Sequence, residues 1–218
     1  MITFKDQEDI FILLSKNIRK DLVCYAFGGN AMMFYGYKDE TKDVDLLFET
    51  EDARQEFIKA LTILGYQEIS PITIYVPEKL RDKYKPLMFK REDGRFDLFI
   101  KKIFKTILSP KMKEDLFAVQ EYRGDFTLKV KVLRKEHLVL LKAVTDRRND
   151  FDDIQMIIKK EKNFDWQYFM DEAIWQMKHG DAWILLDVEK MLQELKREVF
   201  IPEKYLKQLY LAKKADRS

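Results

Sequence analysis

The period of apolar and polar positions changes several times along the chain, and each change marks an element. Over residues 6–21, apolar side chains at Ile10, Leu13, Leu14 and Ile18 recur at helical spacing. The run VCYAF from Val23 predicts a short buried strand that Gly28-Gly29 ends. AMMFYGY predicts a helical turn or two, and the polar string KDETK a loop. DVDLLFE alternates and then turns apolar, predicting a strand with Asp43 and Asp45 on one face, because strand side chains repeat every two residues. A helix follows from Ala53 to Leu64, closed by Gly65. ITIYV (72–76), PLMFKR (86–91) and RFDLFI (95–100) predict strands, the last two joined by a hairpin turn at Glu92-Asp93-Gly94. FTLKVKVL (126–133) alternates strictly, with its lysines on the wet face. From Lys135 onward the period is almost wholly helical, interrupted at Asn149-Asp150, Gly180-Asp181 and Ile201-Pro202. The pattern predicts an α+β protein, with a mixed sheet and flanking helices over residues 1–134 and a helical domain over residues 135–218.

Composition narrows the class. With 46% hydrophobic and 36% charged residues and few Gly and Pro, 218 residues can bury a core without staples, and neither disorder nor repeats are expected. A net charge of +2 does not announce a nucleic-acid binder. Basic clusters at 79–85, around residue 101 and near the end could track a phosphate backbone but read first as solvated faces. The single cysteine, Cys24, lies in an apolar run and reads as a structural thiol of a reducing compartment. Two histidines, His137 and His179, leave little for a zinc site. Trp166, Tyr168, Phe169, Trp175 and Trp183 fall mostly at helical spacing and read as core. Nothing approaches the roughly twenty apolar residues of a membrane span, so no membrane partner and a cytoplasmic location are expected.

One stretch carries chemistry. FGGNAMMFYGYKDETKDVDLLF joins a glycine pair leaving a strand, a gap containing a turn, and two carboxylates two residues apart on the next strand. Glycines let a backbone approach phosphate closely, and same-face carboxylates chelate a hard cation such as magnesium, which substrate phosphates then complete. A third carboxylate on a neighbouring strand would admit a second metal roughly 4 Å from the first, as phosphoryl transfer uses. Asp97, between Phe96 and Leu98, is the candidate, since an unpaired carboxylate is costly to bury and calls for a cation or a basic partner. A salt bridge to Arg95 or Lys101 is the structural alternative for Asp97. Asp115 reads as a solvated helix end.

These residues resemble the signature of the polymerase-β-like nucleotidyltransferase superfamily: a hydrophobic residue, Gly-Gly-Ser/Thr, a gap of around ten, then Asp-x-Asp in an apolar frame. Phe27-Gly28-Gly29-Asn30 and Asp43-Val44-Asp45-Leu46 match it in order and spacing, with Asn30 in place of the hydroxyl residue; its amide could still donate to a phosphate oxygen. FTLKVKVL followed by RKEHLVLLKAVTDRRNDFDDIQMII looks like the strand-to-helix passage of AbiEii-type toxin nucleotidyltransferases, a likeness that runs to about residue 160. The resemblance implies a polymerase-β-like fold whose helical domain forms the other wall of a cleft. It implies nucleotide binding by Gly28, Gly29, Asn30, Lys142 and Arg147 (or Arg148), with Asp150, Asp152 or Asp153 in the lining acidic places. It further implies two magnesium ions, or manganese, on Asp43, Asp45 and Asp97, and transfer of a nucleoside monophosphate from a nucleoside triphosphate to a hydroxyl of a tRNA end or a protein side chain. A toxin role with a cognate antitoxin is part of the same implication. For Lys142, an ammonium facing a triphosphate would also neutralise developing charge; its bland alternative is a solvated lysine, and the charges of DRRNDFDD could simply favour helix dipoles.

Two other classes stay open from sequence. Asn30 is compatible with a degenerate pocket that binds or regulates without turnover. A small-molecule transferase acting on a sugar hydroxyl would call for an acidic pocket in the helical domain. Nucleotide preference and oligomeric state are open.

Overall fold

The computed structural model describes residues 1–73, 84–92, 94–145 and 147–215. It divides into two compact units, residues 1–103 with 114–133, and residues 104–113 with 134–218.

In the first unit the elements are β1 (Ile2–Thr3), α1 (Phe4–Ser15), β2 (Leu22–Phe27), α2 (Gly28–Phe34), β3 (Glu40–Thr41), β4 (Asp43–Phe48), α3 (Glu51–Ile63), β5 (Gln67–Ile69), β6 (Leu87–Arg91), β7 (Gly94–Ile100) and β8 (Lys102–Ile103), and then, beyond β9 (Thr106–Ile107) and α4 (Pro110–Glu114), β10 (Leu116–Arg123) and β11 (Thr127–Leu133). Seven strands of the main sheet run in the order β10-β11-β2-β4-β7-β6-β5, and β8 pairs with β7 off this path. The β11–β2 and β4–β7 pairs are parallel and the others antiparallel, so the sheet is mixed. Its two central parallel strands are apolar on one face, and Val44, Leu46, Phe48, Phe96 and Leu98 there are fully buried. Phe57 of α3 closes over this face, with ring centroids 5.3 Å from Phe48 and 6.0 Å from Phe96, burial that supplies about 1.5–3 kcal/mol per large side chain. The opposite face carries the carboxylates. α1 and α3 carry side-chain caps: Thr3 forms a capping box with Asp6, and Thr50 accepts from the Ala53 amide.

The second unit is built from α5 (Lys135–Ala143), α6 (Arg148–Lys160), α7 (Trp166–His179), α8 (Ile184–Leu195) and α9 (Glu203–Ala215). Glu136 through Ala143 are all buried, as expected of a helix enclosed by others. Residues 104–113 join this unit through Gln176 of α7. Its side chain accepts from the Ile107 amide at 3.0 Å and donates to the Ile107 carbonyl at 2.7 Å, completing a backbone ladder that no strand supplies there. Lys105 adds an ion pair with Asp187 at 2.6 Å.

Several expectations need correction. In α1 the buried positions are Gln7, Phe11, Leu14 and Ser15, while Leu13 is exposed; two polar residues share the inner stripe and hide its period. KDETK contains β3, which pairs with β1. β10 is a full strand next to Asp115, masked in sequence by Phe117 and Val119, which are exposed on its outer face. α6 begins at Arg148 with Arg147 as its N-cap, so Asn149-Asp150 lie inside its first turn and not at the break. Trp183 is exposed. The strand expected at 72–76 begins instead with a 3-10 turn at Pro71–Thr73, and its remainder, like most of the basic cluster at 79–85, Asp93 of the hairpin turn and the last three residues, lies outside the described residues. Cys24 is fully buried, and burial pushes its thiol pKa up, consistent with a structural role. Among the described residues no helix is long and apolar enough to cross a membrane.

Candidate active site

Sheet register assembles the acidic face. β4 and β7 run parallel with Asp43 opposite Arg95 and Asp45 opposite Asp97, and β2 places Phe27 opposite Asp45 from the other side. Alternation then puts Asp43, Asp45, Arg95 and Asp97 on one face. Asp97 is 1% exposed and Asp43 and Asp45 are half-buried.

Arg95 is the cation that answers this charge. Its Nε donates to Asp97 Oδ1 at 2.7 Å and its Nη2 to Asp97 Oδ2 at 3.2 Å, and Nη2 also donates to Asp43 Oδ2. Burial alone would lower its pKa, but Asp97 and Asp43, with a smaller contribution from Asp45, outweigh burial and raise it, so the guanidinium is charged at any pH the protein meets. With Arg95 so placed, the described residues contain no group of three or more His, Cys, Asp or Glu gathered to hold a metal ion. Two carboxylates on β4 and a third directly across on β7 share this face, and Asp43 and Asp97 of the set are bridged by the Arg95 guanidinium.

The glycine pair belongs to this arrangement. α2 begins at Gly28 itself, whose φ of +66° is a left-handed conformation, and a Cβ there would overlap Asp45 Oδ2. A Cβ at Gly29 would overlap Thr41 Oγ1. Gly28→Ala should therefore cost about 1–2 kcal/mol in backbone strain, read in a denaturant titration, and it would displace the Asp45 carboxylate.

Asn30 is fully buried, and its Oδ1 accepts the Asp45 backbone N–H at 3.0 Å. Its Nδ2 is buried and has no hydrogen-bond partner among the described residues. The amide thus props the strand bearing the carboxylates from behind. Asn30→Ala leaves the Asp45 N–H unpaired and should destabilise the protein by about 1–3 kcal/mol in a denaturant titration.

Lys142 and Arg147 lie in the second unit, in a cluster of their own. The Lys142 ammonium is buried and donates to Asp150 Oδ1 at 3.0 Å and Asp153 Oδ2 at 2.6 Å. Burial lowers its pKa, but the two carboxylates together outweigh that and raise it. Burial likewise raises the Asp150 carboxyl, and Lys142, Thr145 and Arg147 overcome it, holding Asp150 below the ordinary aspartate range. Arg147 Nε donates to Asp150 Oδ2 at 2.6 Å from a largely exposed side chain. A cavity of about 420 Å³ adjoins the cluster, lined by Arg147, Arg148, Phe151, Ile154, Lys190 and Met191 among others.

Sequence reasoning treated Arg95 only as a bridge partner for Asp97 and did not single out Thr41. The signal for Arg95 was available, since the spacing Arg95-Phe96-Asp97 puts it on the face of the acid; its meeting with Asp43 required the register.

No family model matches the sequence, and neither does any curated protein. Among solved structures, one described as "putative nucleotidyltransferase from H. pylori" aligns over 97% of this chain and 95% of its own with 14% identity and a TM-score of 0.44. JHP933 from Helicobacter pylori aligns over 97% of this chain and 90% of its own with 14% identity and a TM-score of 0.41.

Proposed function

We propose that the acidic face of β4 and β7 is the metal–nucleotide site of a nucleotidyltransferase. The observation that carries this reading is the register that sets Asp97 across from Asp45, with Asp43 two residues away and Gly28 against the Asp45 carboxylate. That is a three-carboxylate face beside a glycine turn, in the order the sequence resemblance implies. Asp43 and Asp45 would hold magnesium carrying the triphosphate, and Asp97 would complete a second ion. Bound magnesium would supply charge neutralisation at the phosphates and an acidified acceptor hydroxyl. Gly28 and Gly29 would let backbone approach the phosphates without a side chain intervening. Asn30 would act by fixing Asp45, since its side chain is already committed inward. Lys142 and Arg147 belong to the second unit, where the Lys142 ammonium serves two carboxylates and the Arg147 side chain is largely exposed.

The reaction is transfer of a nucleoside monophosphate to a hydroxyl acceptor with release of pyrophosphate. By the resemblance the acceptor is a tRNA end or a protein side chain, and the enzyme is the toxin of a toxin–antitoxin pair. A second reading, a pocket that binds nucleotide without turnover, draws on the Arg95 bridge and on Asn30. Nucleotide binding by calorimetry with magnesium and with EDTA separates them: a catalytic site loses most of its affinity in EDTA, and a degenerate module keeps it.

A further inference from the structure

The same face contains a device that the proposed reaction does not by itself require. Arg95 reaches both outer carboxylates of the set at once, forking onto Asp97 and touching Asp43, and its side chain is 19% exposed. A free divalent ion arriving at Asp43 and Asp97 has to evict this guanidinium from both of its hydrogen-bonded carboxylates while it stays partly buried, which is unfavourable. An ion that arrives on a polyphosphate brings the replacement anion with it, and phosphate oxygens accept the same planar fork that a carboxylate does.

We propose that Arg95 is a displaceable counter-ion that makes binding ordered: it closes Asp43 and Asp97 to a free divalent cation and yields them when the cation enters together with a polyphosphate, to which the guanidinium transfers. This rests on the metal–nucleotide reading above. It assigns Arg95 two partners in turn, the carboxylates in the resting site and the phosphates in the loaded one. Weak affinity for the bare ion is then a built-in property of the resting site.

The test is manganese binding by electron paramagnetic resonance on the full chain, with and without a non-hydrolysable nucleoside triphosphate analogue. Wild type, Arg95→Gln and Arg95→Lys are compared. The expected result is that Arg95→Gln binds manganese alone at least about tenfold more tightly than wild type and gains less from the nucleotide than wild type does. Arg95→Lys, whose ammonium cannot fork across both acids, should fall between them and serves in place of the glutamine variant should that one not fold. Equal or weaker binding of manganese alone by the variants overturns the role of Arg95 and leaves the metal–nucleotide reading standing. Absence of manganese binding in every protein, even with nucleotide, overturns both.

Discussion

Asp45→Asn should lower transferase activity by about 10²–10³-fold while leaving the melting temperature nearly unchanged. The substitution keeps the size of the side chain and the backbone bond from the Asp45 amide to Asn30, so the strand stays pinned. It also leaves the Arg95 bridge intact, because that bridge uses Asp43 and Asp97. What it removes is one negative charge from the position facing Gly28, where the reading sets the metal-borne phosphates. Asp43→Asn or Asp97→Asn would confuse the two effects by loosening Arg95. A melt together with a turnover assay on Asp45→Asn therefore isolates the chemistry, and a variant that keeps more than half of wild-type activity would count against the carboxylate's role.

Lys142→Met should destabilise the protein by about 3–5 kcal/mol. The methionine fits the stem, but two buried carboxylates, Asp150 and Asp153, lose the ammonium between them. The sign of the pH dependence follows. In the wild type, Asp150 titrates below its ordinary value, so its stabilising contribution is present above about pH 4 and is lost as pH falls through the depressed pKa. Without Lys142 the largest attraction holding the Asp150 carboxyl down is gone and burial opposes Thr145 and Arg147 alone, so the variant's deficit should shrink as pH is lowered toward about 5. Denaturant titrations at neutral and mildly acid pH read this directly. A deficit below about 1 kcal/mol, or one that grows with acid, would contradict the cluster's structural role.

How much of this was legible in the sequence depends on the range of the interaction. Asp43 and Asp45 sharing a face follows from a period of two, and the end of β2 at Phe27 follows from the glycines after it. Neither needs knowledge of a partner strand. Asp97 was legible as an acid that needs a cation, because its neighbours Phe96 and Leu98 are apolar, but which cation it meets depends on the parallel pairing of β4 with β7. That pairing joins residues about fifty positions apart, and nothing local encodes it. Lys142 shows the converse. Its spacing on an amphipathic helix suits a solvated lysine, yet α5 is enclosed on all sides, and burial converts the same residue into the centre of an ion cluster. α1 misleads in part: Leu14 and Ile18 are inside as their period predicts, but Gln7 and Ser15 are inside too while Leu13 faces out, so hydrophobicity alone traces only part of the stripe. Residues 104–113 read as a continuation of the first domain, and their attachment through Gln176 is a side-chain to backbone match with no sequence signature.

The most direct measurement is label transfer from nucleoside triphosphates carrying the label at the α or at the γ phosphate, with magnesium and total tRNA or cell lysate, for wild type and the Asp43→Ala, Asp45→Ala double variant. Label from the α position moving to RNA or protein, with γ label leaving as pyrophosphate and neither event in the double variant, is the expected outcome. Transfer of γ label, or α-label transfer that survives loss of both carboxylates, would contradict a nucleotidyltransferase built on this face.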